Sequence, residues 1–348
     1  MFGIRTRARI IAIIAFIGLA FVIGGGMAGA QSLDIPSKHW GISFGNSSEF
    51  TGLRFNFRDS GVKRLTGINI TLWQPKKIDN EESVITGLSF GPIPGGGRMR
   101  GLQIGLLGIA GNKTITGISL AGLGLGAGDN IVGINLAGLG MGAGKNMKGI
   151  NIAGLGLGAG ENLIGLNIGG LGLGAGKNVK GISFGGLGIG ASDNAVGINI
   201  GGLGAGAGEN MIGLNIGGLG LGAGNKLTGI NIAGIGAGAG DYLTGLTVAG
   251  LAAGSPEVRG LTIAGFAVGG QNLVGLHIAG GMVHVVKDGS LRGCAISPFN
   301  YIRGSQVGLS IGIVNYAWSV RGVQIGLVNI VRSNPRGLKV LPVFNTNF

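Results

Sequence analysis

Apolar and small residues alternate along most of the chain, and residues 163–178 show the pattern most clearly. Apolar residues alternate with Gly or Asn over residues 166–168 and again over residues 171–175, a period of two that is typical of β-strands. Residues 169–170, both glycine, shift the alternation by one, and glycine readily adopts the positive φ that sharp bends need. Residues 176–178 supply a second bend. The segment therefore predicts two short strands and two bends.

This sixteen-residue unit recurs along the chain. Each copy opens with a glycine that lies 16 residues after the previous one. These leading glycines are Gly117, Gly133, Gly149, Gly165, Gly181, Gly197, Gly213, Gly229 and Gly245. The spacing then shortens to fifteen at Gly260 and Gly275, and to fourteen between Gly308 and Gly322. A fixed period of this length indicates a repeat architecture, in which each unit packs on its neighbours.

Two arrangements of this unit are compatible with the pattern. In a β-solenoid of 14–16-residue coils, equivalent residues stack about 4.8 Å apart, whereas in successive hairpins they lie two strands apart, roughly 9.5 Å. The charged position in the second bend distinguishes them, because opposite charges stabilise neighbouring strands when they face each other. This position alternates in sign over the first five repeats and reads Asp129, Lys145, Glu161, Lys177, Asp193, Glu209, Asn225 and Asp241.

An asparagine follows the charged position in consecutive repeats, and stacked asparagines can hydrogen-bond along such a column. The column comprises Asn130, Asn146, Asn162, Asn178, Asn194 and Asn210. Both columns favour an all-β, glycine-rich β-solenoid. The alternative is an outer-membrane β-barrel built of short hairpins, which the period-two strands and the terminal Phe348 support. Its strands would need about 9–11 residues, and the regular strands here hold about five to seven.

The alternation also assigns residues to the two faces of each strand. We expect the apolar positions to point into the coil, so that each coil buries about five Leu or Ile side chains. The polar residue between them is then expected to point outward, as is His277 in a later unit. This polar column reads Ser119, Asn135, Asn151, Asn167, Ser183 and Asn199.

Glycine accounts for 81 of the 348 residues. Glycine inside a helix costs about 1 kcal/mol, so we expect almost no helix after the N-terminal segment. Outward glycines leave flat strand faces. Either such a face allows another surface to approach closely, or the coil is too tight for larger side chains.

The first 30 residues have the three parts of a secretory signal peptide. A basic segment with Arg5, Arg7 and Arg9 precedes an apolar run over residues 10–23, and a small-residue cleavage motif ends at Ala30. The alternative is an uncleaved N-terminal anchor. After cleavage, 23 Lys and Arg (26 minus three) remain against 13 Asp and Glu, a formal charge of about +10.

The remaining sequence divides into three segments. Residues 31–100 hold degenerate repeats and predict an irregular N-terminal cap, which a solenoid needs to shield the end of its core. Residues 101–290 form the regular array, and residues 291–348 form shorter repeats and a basic cap. The single Cys294 excludes an internal disulfide, so packing and hydrogen bonding must stabilise the exported chain.

Residues suited to catalysis or metal binding are rare in the sequence. The three histidines are His39, His277 and His284, and neither His277, His284 nor Cys294 has sequence neighbours that would form a metal site or a catalytic triad. The Gly-x-Gly runs precede no helix and never continue to Gly-Lys-Ser/Thr, which excludes a phosphate-binding loop. We therefore predict no enzymatic activity, no catalytic, cofactor-binding or metal-binding residue, and no cofactor.

The basic C-terminal segment is a candidate anion-binding patch, because residues 289–348 contain six Lys or Arg and no Asp or Glu. The six are Arg292, Arg303, Arg321, Arg332, Arg336 and Lys339. A positive surface attracts anionic polymers, which at an envelope are lipopolysaccharide phosphates and acidic glycans rather than nucleic acid. The alternative role of these charges is to keep the solenoid end soluble and to prevent end-to-end growth. Other copies of the chain and the membrane are further candidate partners.

The C-terminal units carry specific motifs. Residues 322–329 read GVQIGLVN, followed by NPRGL at 334–338 and LPVFN at 341–345. With the GINIAGLGLGAG repeats, these motifs resemble a family of bacterial surface-repeat proteins. The resemblance covers the array and the C-terminal third, and implies an exported protein at the cell surface or outer membrane of a diderm bacterium, without an assigned activity. We expect a non-enzymatic structural or adhesive surface protein; the alternative is an outer-membrane channel.

Overall fold

The computed structural model describes residues 32–76 and 78–347, so the signal peptide predicted over residues 1–30 lies outside the described residues. The chain divides into two compact units, residues 1–154 and residues 155–348. In the described part of both units the regular structure is β-strand, apart from a 3-10 turn at Ile78–Asn80. No helix among these residues is long and apolar enough to cross a membrane.

The first unit contributes strands β1 to β11 in its described residues. Their bounds are β1 Ser32–Pro36, β2 Trp40–Gly45, β3 Glu49–Arg58, β4 Arg64–Trp73, β5 Val84–Gly91, β6 Gly95–Gly105, β7 Gly108–Ala121, β8 Gly124–Ala127, β9 Asn130–Ala137, β10 Gly140–Ala143 and β11 Asn146–Ala153.

The second unit contributes strands β12 to β30. Their bounds are β12 Gly156–Ala159, β13 Asn162–Gly169, β14 Gly172–Ala175, β15 Asn178–Gly185, β16 Gly188–Ala191, β17 Asn194–Gly201, β18 Gly204–Ala207, β19 Asn210–Gly217, β20 Gly220–Ala223, β21 Lys226–Ala233, β22 Gly236–Ala239, β23 Tyr242–Ala249, β24 Ala252–Gly254, β25 Glu257–Ala264, β26 Ala267–Ala279, β27 Met282–Ile296, β28 Phe299–Ile311, β29 Val314–Val331 and β30 Val340–Thr346.

Strands pair in parallel, in the register that the sixteen-residue period predicts. In the second unit, the long strands β13 and β15 place Gly165 opposite Gly181, and the short strands β14 and β16 place Leu173 opposite Ile189. Each regular coil therefore has a strand of eight residues, a bend, a strand of four residues and a second bend. This confirms the predicted all-β solenoid, because hairpins would pair neighbouring strands antiparallel.

The terminal strands differ from the array in direction. β1 runs antiparallel to β2, and β30 runs antiparallel along β29, pairing Thr346 with Val323. The parallel register already begins at β2, where Gly41 faces Gly52. A final antiparallel strand covers hydrogen-bonding groups that the edge of the last coil would otherwise expose.

The leading glycine of each coil has no room for a side chain. Gly181 has a φ of 109°, and a Cβ added there would lie 2.3 Å from the carbonyl oxygen of Gly165 in the previous coil. Its backbone conformation and its neighbour therefore both exclude other residues. The outward glycines of the short strands are different, because a Cβ at Gly190 or Gly222 would have no atom within 4 Å. A tight coil explains the leading glycines but not the bare outer face.

Over residues 166–168 the side-chain alternation has the opposite phase to the predicted one, whereas Leu163, Leu173 and Ala175 are buried as predicted. Asn167, expected to point outward, is fully buried, whereas Leu166 and Ile168 lie on the outer surface and are only half-buried. The same coil buries Leu163 and Leu173, two large aliphatic side chains rather than about five. The physical reason is that stacked amides can hydrogen-bond to one another inside the coil, which offsets the cost of burying them.

Candidate functional site

A polar column runs inside the coils of the second unit. Asn199 donates its side-chain amide to Oδ1 of Asn215 across 3.0 Å, and Asn215 donates to Asn231 across 2.9 Å. The fully or almost fully buried members of the column in this unit are Asn167, Ser183, Asn199, Asn215, Asn231, Thr247, Thr262 and His277. These side chains are closed to solvent, and their hydrogen bonds join neighbouring coils.

The charged residues of the second bend are direct neighbours in adjacent coils, as predicted. Nζ of Lys177 lies 3.5 Å from the Glu161 carboxylate, and in the first unit Lys145 lies 3.0 Å from Asp129. The asparagine column beside it is also hydrogen-bonded, for example from Asn178 to Oδ1 of Asn162 across 2.9 Å. Exposed ion pairs contribute at most about 1 kcal/mol each, so their main role is to match neighbouring coils in register.

Three apolar columns lie on the outer surface of the second unit, and we call them the apolar band. The first comprises Leu166, Ile182, Ile198, Leu214, Ile230, Leu246, Leu261, Leu276, Cys294, Leu309 and Val323. The second comprises Ile168, Phe184, Ile200, Ile216, Ile232, Val248, Ile263, Ile278, Ile296, Ile311 and Ile325. The third lies in the first bend of each coil, between the long and the short strand, and comprises Leu155, Leu171, Leu187, Leu203, Leu219, Ile235, Leu251 and Phe266.

The side chains of the apolar band are partly exposed to solvent. Ile182 is 41% exposed and Leu171 is 50% exposed, although neighbouring coils cover both above and below. These values belong to a continuous surface and not to scattered residues, because every strand position in the first two columns is apolar. Continuous apolar surfaces of this kind mark interaction sites.

A column that contains cations borders the apolar band, and we call it the flank column. It consists of the outward residue before each leading glycine of the second unit. Its members are Ile164, Lys180, Val196, Ile212, Thr228, Thr244, Arg259, Val274, Arg292, Val307 and Arg321. Four are Lys or Arg and none is Asp or Glu, so the border of the band is positive. Arg259 also bonds to Glu257, 3.3 Å away in the neighbouring column.

The structure divides the predicted anion-binding patch. Arg292 and Arg321 lie in the flank column, with Val307 between them. The other four lie outside the flank column. Arg303 lies within β28, and Arg332, Arg336 and Lys339 belong to the turns before β30. Lys339 is half-buried, and the other five are exposed. The column that contains two of them was not recognised from the sequence, although the recurrence of Lys180 and Arg292 before a leading glycine was a usable signal.

His277 lies inside the coil, so the prediction that it points outward was wrong. It faces Thr262 in the preceding coil, and neither ring nitrogen has a hydrogen-bond partner. Burial lowers its pKa to about 4, so the ring is neutral at pH 7. Its enclosure excludes contact with a substrate.

The remaining candidate residues lie on the surface but not together. The ring of His284 stacks on the ring of Tyr301, with 5.6 Å between ring centres, on the outer side of the segment that continues the column of short strands. Cys294 is half-buried in the apolar band, and burial raises the pKa of its thiol. Within residues 32–76 and 78–347, no group of three or more His, Cys, Asp or Glu side chains is placed to hold a metal ion.

The first unit contains a buried ion pair that the sequence did not reveal. Arg54 occupies the interior polar column opposite Asn69, and its guanidinium lies 2.5 Å from the carboxylate of Asp59. Asn56 and Thr71 also donate to Asp59. Burial raises the pKa of Asp59, but the Arg54 charge and hydrogen bonds from Asn56, Arg54 and Asn69 outweigh it and hold the pKa below its usual value. A lone charged residue in an otherwise neutral column was the available signal.

Comparison of the chain with protein-family models, with characterised proteins and with solved structures found no match. The resemblance to bacterial surface-repeat proteins therefore rests on the sequence motifs. The apolar band with its flank column is therefore the candidate functional surface of the second unit.

Proposed function

We propose that this chain is an exported, non-enzymatic structural or adhesive protein of a bacterial envelope. The observation that carries the proposal is the apolar band. A contiguous apolar surface larger than a few hundred Å² is uncommon on soluble monomers and indicates attachment to another surface. The band repeats one contact in every coil, which suits attachment along a line better than recognition of a single small molecule.

The interior of the coils supports a structural role. The titratable groups that lie deepest, His277 and the pair Arg54–Asp59, are enclosed, so none can meet a substrate. Neighbouring coils are joined by backbone hydrogen bonds and amide columns, and at some corners also by an ion pair such as Lys177–Glu161. Such nearest-neighbour stabilisation gives an extended and regular binding surface.

Export is supported by the N-terminal sequence, and the envelope location by the surface-repeat motifs. The test is to express the chain with a C-terminal tag in a diderm host and to separate cytoplasm, periplasm, membranes and medium. We expect the tagged chain in the envelope or medium, with a new N terminus at Gln31. The matched control replaces Ala28 and Ala30 with Leu, which should retain the precursor. A wild-type chain that stays in the cytoplasm with residues 1–30 attached would contradict the proposal.

A further inference from the structure

We propose that the apolar band and the flank column of the second unit together form a lipid-binding surface that lies flat on an anionic bilayer. This inference rests on the proposed function, because that function places the chain where such a bilayer is present. It names the partner of the attachment surface by its chemistry: acyl chains for the band and phosphate headgroups for the flank column.

The apolar band is continuous along the second unit. The first two columns of the band are apolar at all eleven coil positions from Leu166 to Val323 and from Ile168 to Ile325. Ten steps of about 4.8 Å make these columns roughly 48 Å long, and their spacing along the strand is about 7 Å. Phe184 and Phe266 place aromatic rings within the band, and aromatic rings suit the boundary between headgroups and acyl chains. A contact with one small apolar ligand would not require a surface of this length.

The face that carries the apolar band exposes little unpaired backbone. β15 pairs with β13 on one side and with β17 on the other, so its N–H and C=O groups are used within the sheet. A backbone that is satisfied within the protein can enter a lipid interface without the cost of an unpaired polar group. The side chains that β15 contributes to the apolar band, Ile182 and Phe184, are apolar.

Positive charge lies beside the apolar band. Lys180, Arg292 and Arg321 are exposed in the flank column, two residues before the first apolar column. Long basic side chains can lay their aliphatic stems along an apolar surface and reach outward with the charge. Anionic headgroups attract such cations, and this complementarity favours a bilayer whose lipids carry negative charge.

The same charges argue against a second copy as the occupant. A copy that docked through its own apolar band would present the same columns, which contain no carboxylate. The flank cations would then face no counter-ion, whereas an anionic bilayer supplies one for each.

The test uses the purified mature protein and vesicles of phosphatidylcholine, alone or mixed with phosphatidylglycerol, in a flotation assay. We expect the protein to float with the mixed vesicles and to bind neutral vesicles much more weakly. Raising the salt from about 0.1 M to about 1 M shortens the Debye length from about 10 Å to about 3 Å and should weaken binding to the mixed vesicles.

Three variants locate the surface. Ile230→Thr, Ile232→Thr and Ile235→Thr, combined, remove the band in one coil and should weaken binding to both vesicle types. Lys180→Gln, Arg292→Gln and Arg321→Gln, combined, should reduce binding to the mixed vesicles by on the order of a hundredfold, while binding to neutral vesicles is unchanged. The matched control, Lys177→Gln, Lys287→Gln and Arg303→Gln, changes the net charge equally outside the flank column and should bind like the wild type.

Several results would overturn the inference. These are a wild-type protein that does not float, a control variant as weak as the flank variant, or a lipid-free dimer that the band variant abolishes while flotation is unaffected. Circular dichroism of each variant shows whether it is folded, and the two charge variants keep the test valid if the band variant is not. The outcome is separate from that of the export experiment, because flotation uses purified protein whatever its cellular location.

Discussion

The side-chain amide of Asn215 donates to Oδ1 of Asn231 across 2.9 Å, and both residues are fully buried. Leu214 and Ile216, the strand neighbours of Asn215, lie on the outer surface. Over residues 214–216 the long strand thus places an amide inside and aliphatic side chains outside, the reverse of the usual arrangement, although the same coil also buries Met211 and Leu221. The reversal is stable because the column supplies each inner amide with a partner from the next coil. It also makes an apolar surface available for binding.

Replacing Asn215 with Ala should destabilise the protein by about 2–4 kcal/mol, because the donor of Asn199 and the acceptor of Asn231 both lose their partner in a closed interior. The measurement is the free energy of unfolding in urea. The control is Asn210→Ala in the part-buried corner column, where water can replace the lost hydrogen bond and the cost should be about 1 kcal/mol or less. Equal losses in the two variants would contradict a closed polar interior.

Two glycines of adjacent strands should respond in opposite ways to alanine. Gly181→Ala should cost about 3 kcal/mol or more, because the new Cβ would meet the carbonyl of Gly165 at a φ of 109°. Gly190→Ala, where the Cβ enters open space, should raise stability by about 0.5–1 kcal/mol. Thermal unfolding of both variants checks the pair, and a destabilised Gly190→Ala would show that the outer glycine face is already covered.

Stability should fall with acid in a window set by His277. Its folded pKa is about 4, below the usual value of about 6.5, so the unfolded chain holds the proton more tightly. The contribution of His277 to stability is therefore constant above about pH 6.5 and declines towards pH 4, by a total of about 3 kcal/mol. His277→Asn should abolish this decline, while the exposed His39→Asn control retains it. An identical pH profile for His277→Asn and the wild type would show that the ring is hydrated in the folded state.

The buried ion pair of the first unit should be sensitive to loss of one partner. Asp59→Asn leaves the Arg54 guanidinium buried without a counter-charge and should cost about 3–5 kcal/mol. Glu49→Gln removes an exposed pair with Lys63, 3.9 Å apart, and should change stability by less than about 1 kcal/mol. Chemical unfolding distinguishes the two. A small effect of Asp59→Asn would mean that water reaches Arg54.

The fold could be predicted from local signals that act between equivalent residues. The pairing of Lys177 with Glu161 and of Asn178 with Asn162 depends only on neighbouring coils being one period apart, and the period is visible in the sequence. The leading glycines follow for the same reason, since a Cβ at Gly181 would meet the preceding glycine of its own column. Both features are properties of stacking, which a repeat determines by itself.

The candidate site could not be predicted in the same way, because alternation fixes two faces without fixing which is inside. Leu166 and Ile168 look like core residues in the sequence, and Asn167 looks like a surface residue, but the structure buries Asn167 and leaves the other two partly exposed. A signal was nevertheless present. In the second unit, the column of Asn167 contains none of the Lys and Glu found in the charged bend, as expected for a column without water. The flank column became visible only when Lys180 and Arg321 were placed on the same side of the band.

The matching of each coil to the next, residue for residue, also determines how such a chain can change in length. A tandem duplication of sixteen residues would add one rung to the amide column, one to the corner column and one row to the apolar band, without altering any existing contact. The extent of the attachment surface can therefore evolve in whole coils through recombination, independently of side-chain substitution. Valency, and not the chemistry of a single site, would then set how firmly the protein holds its surface.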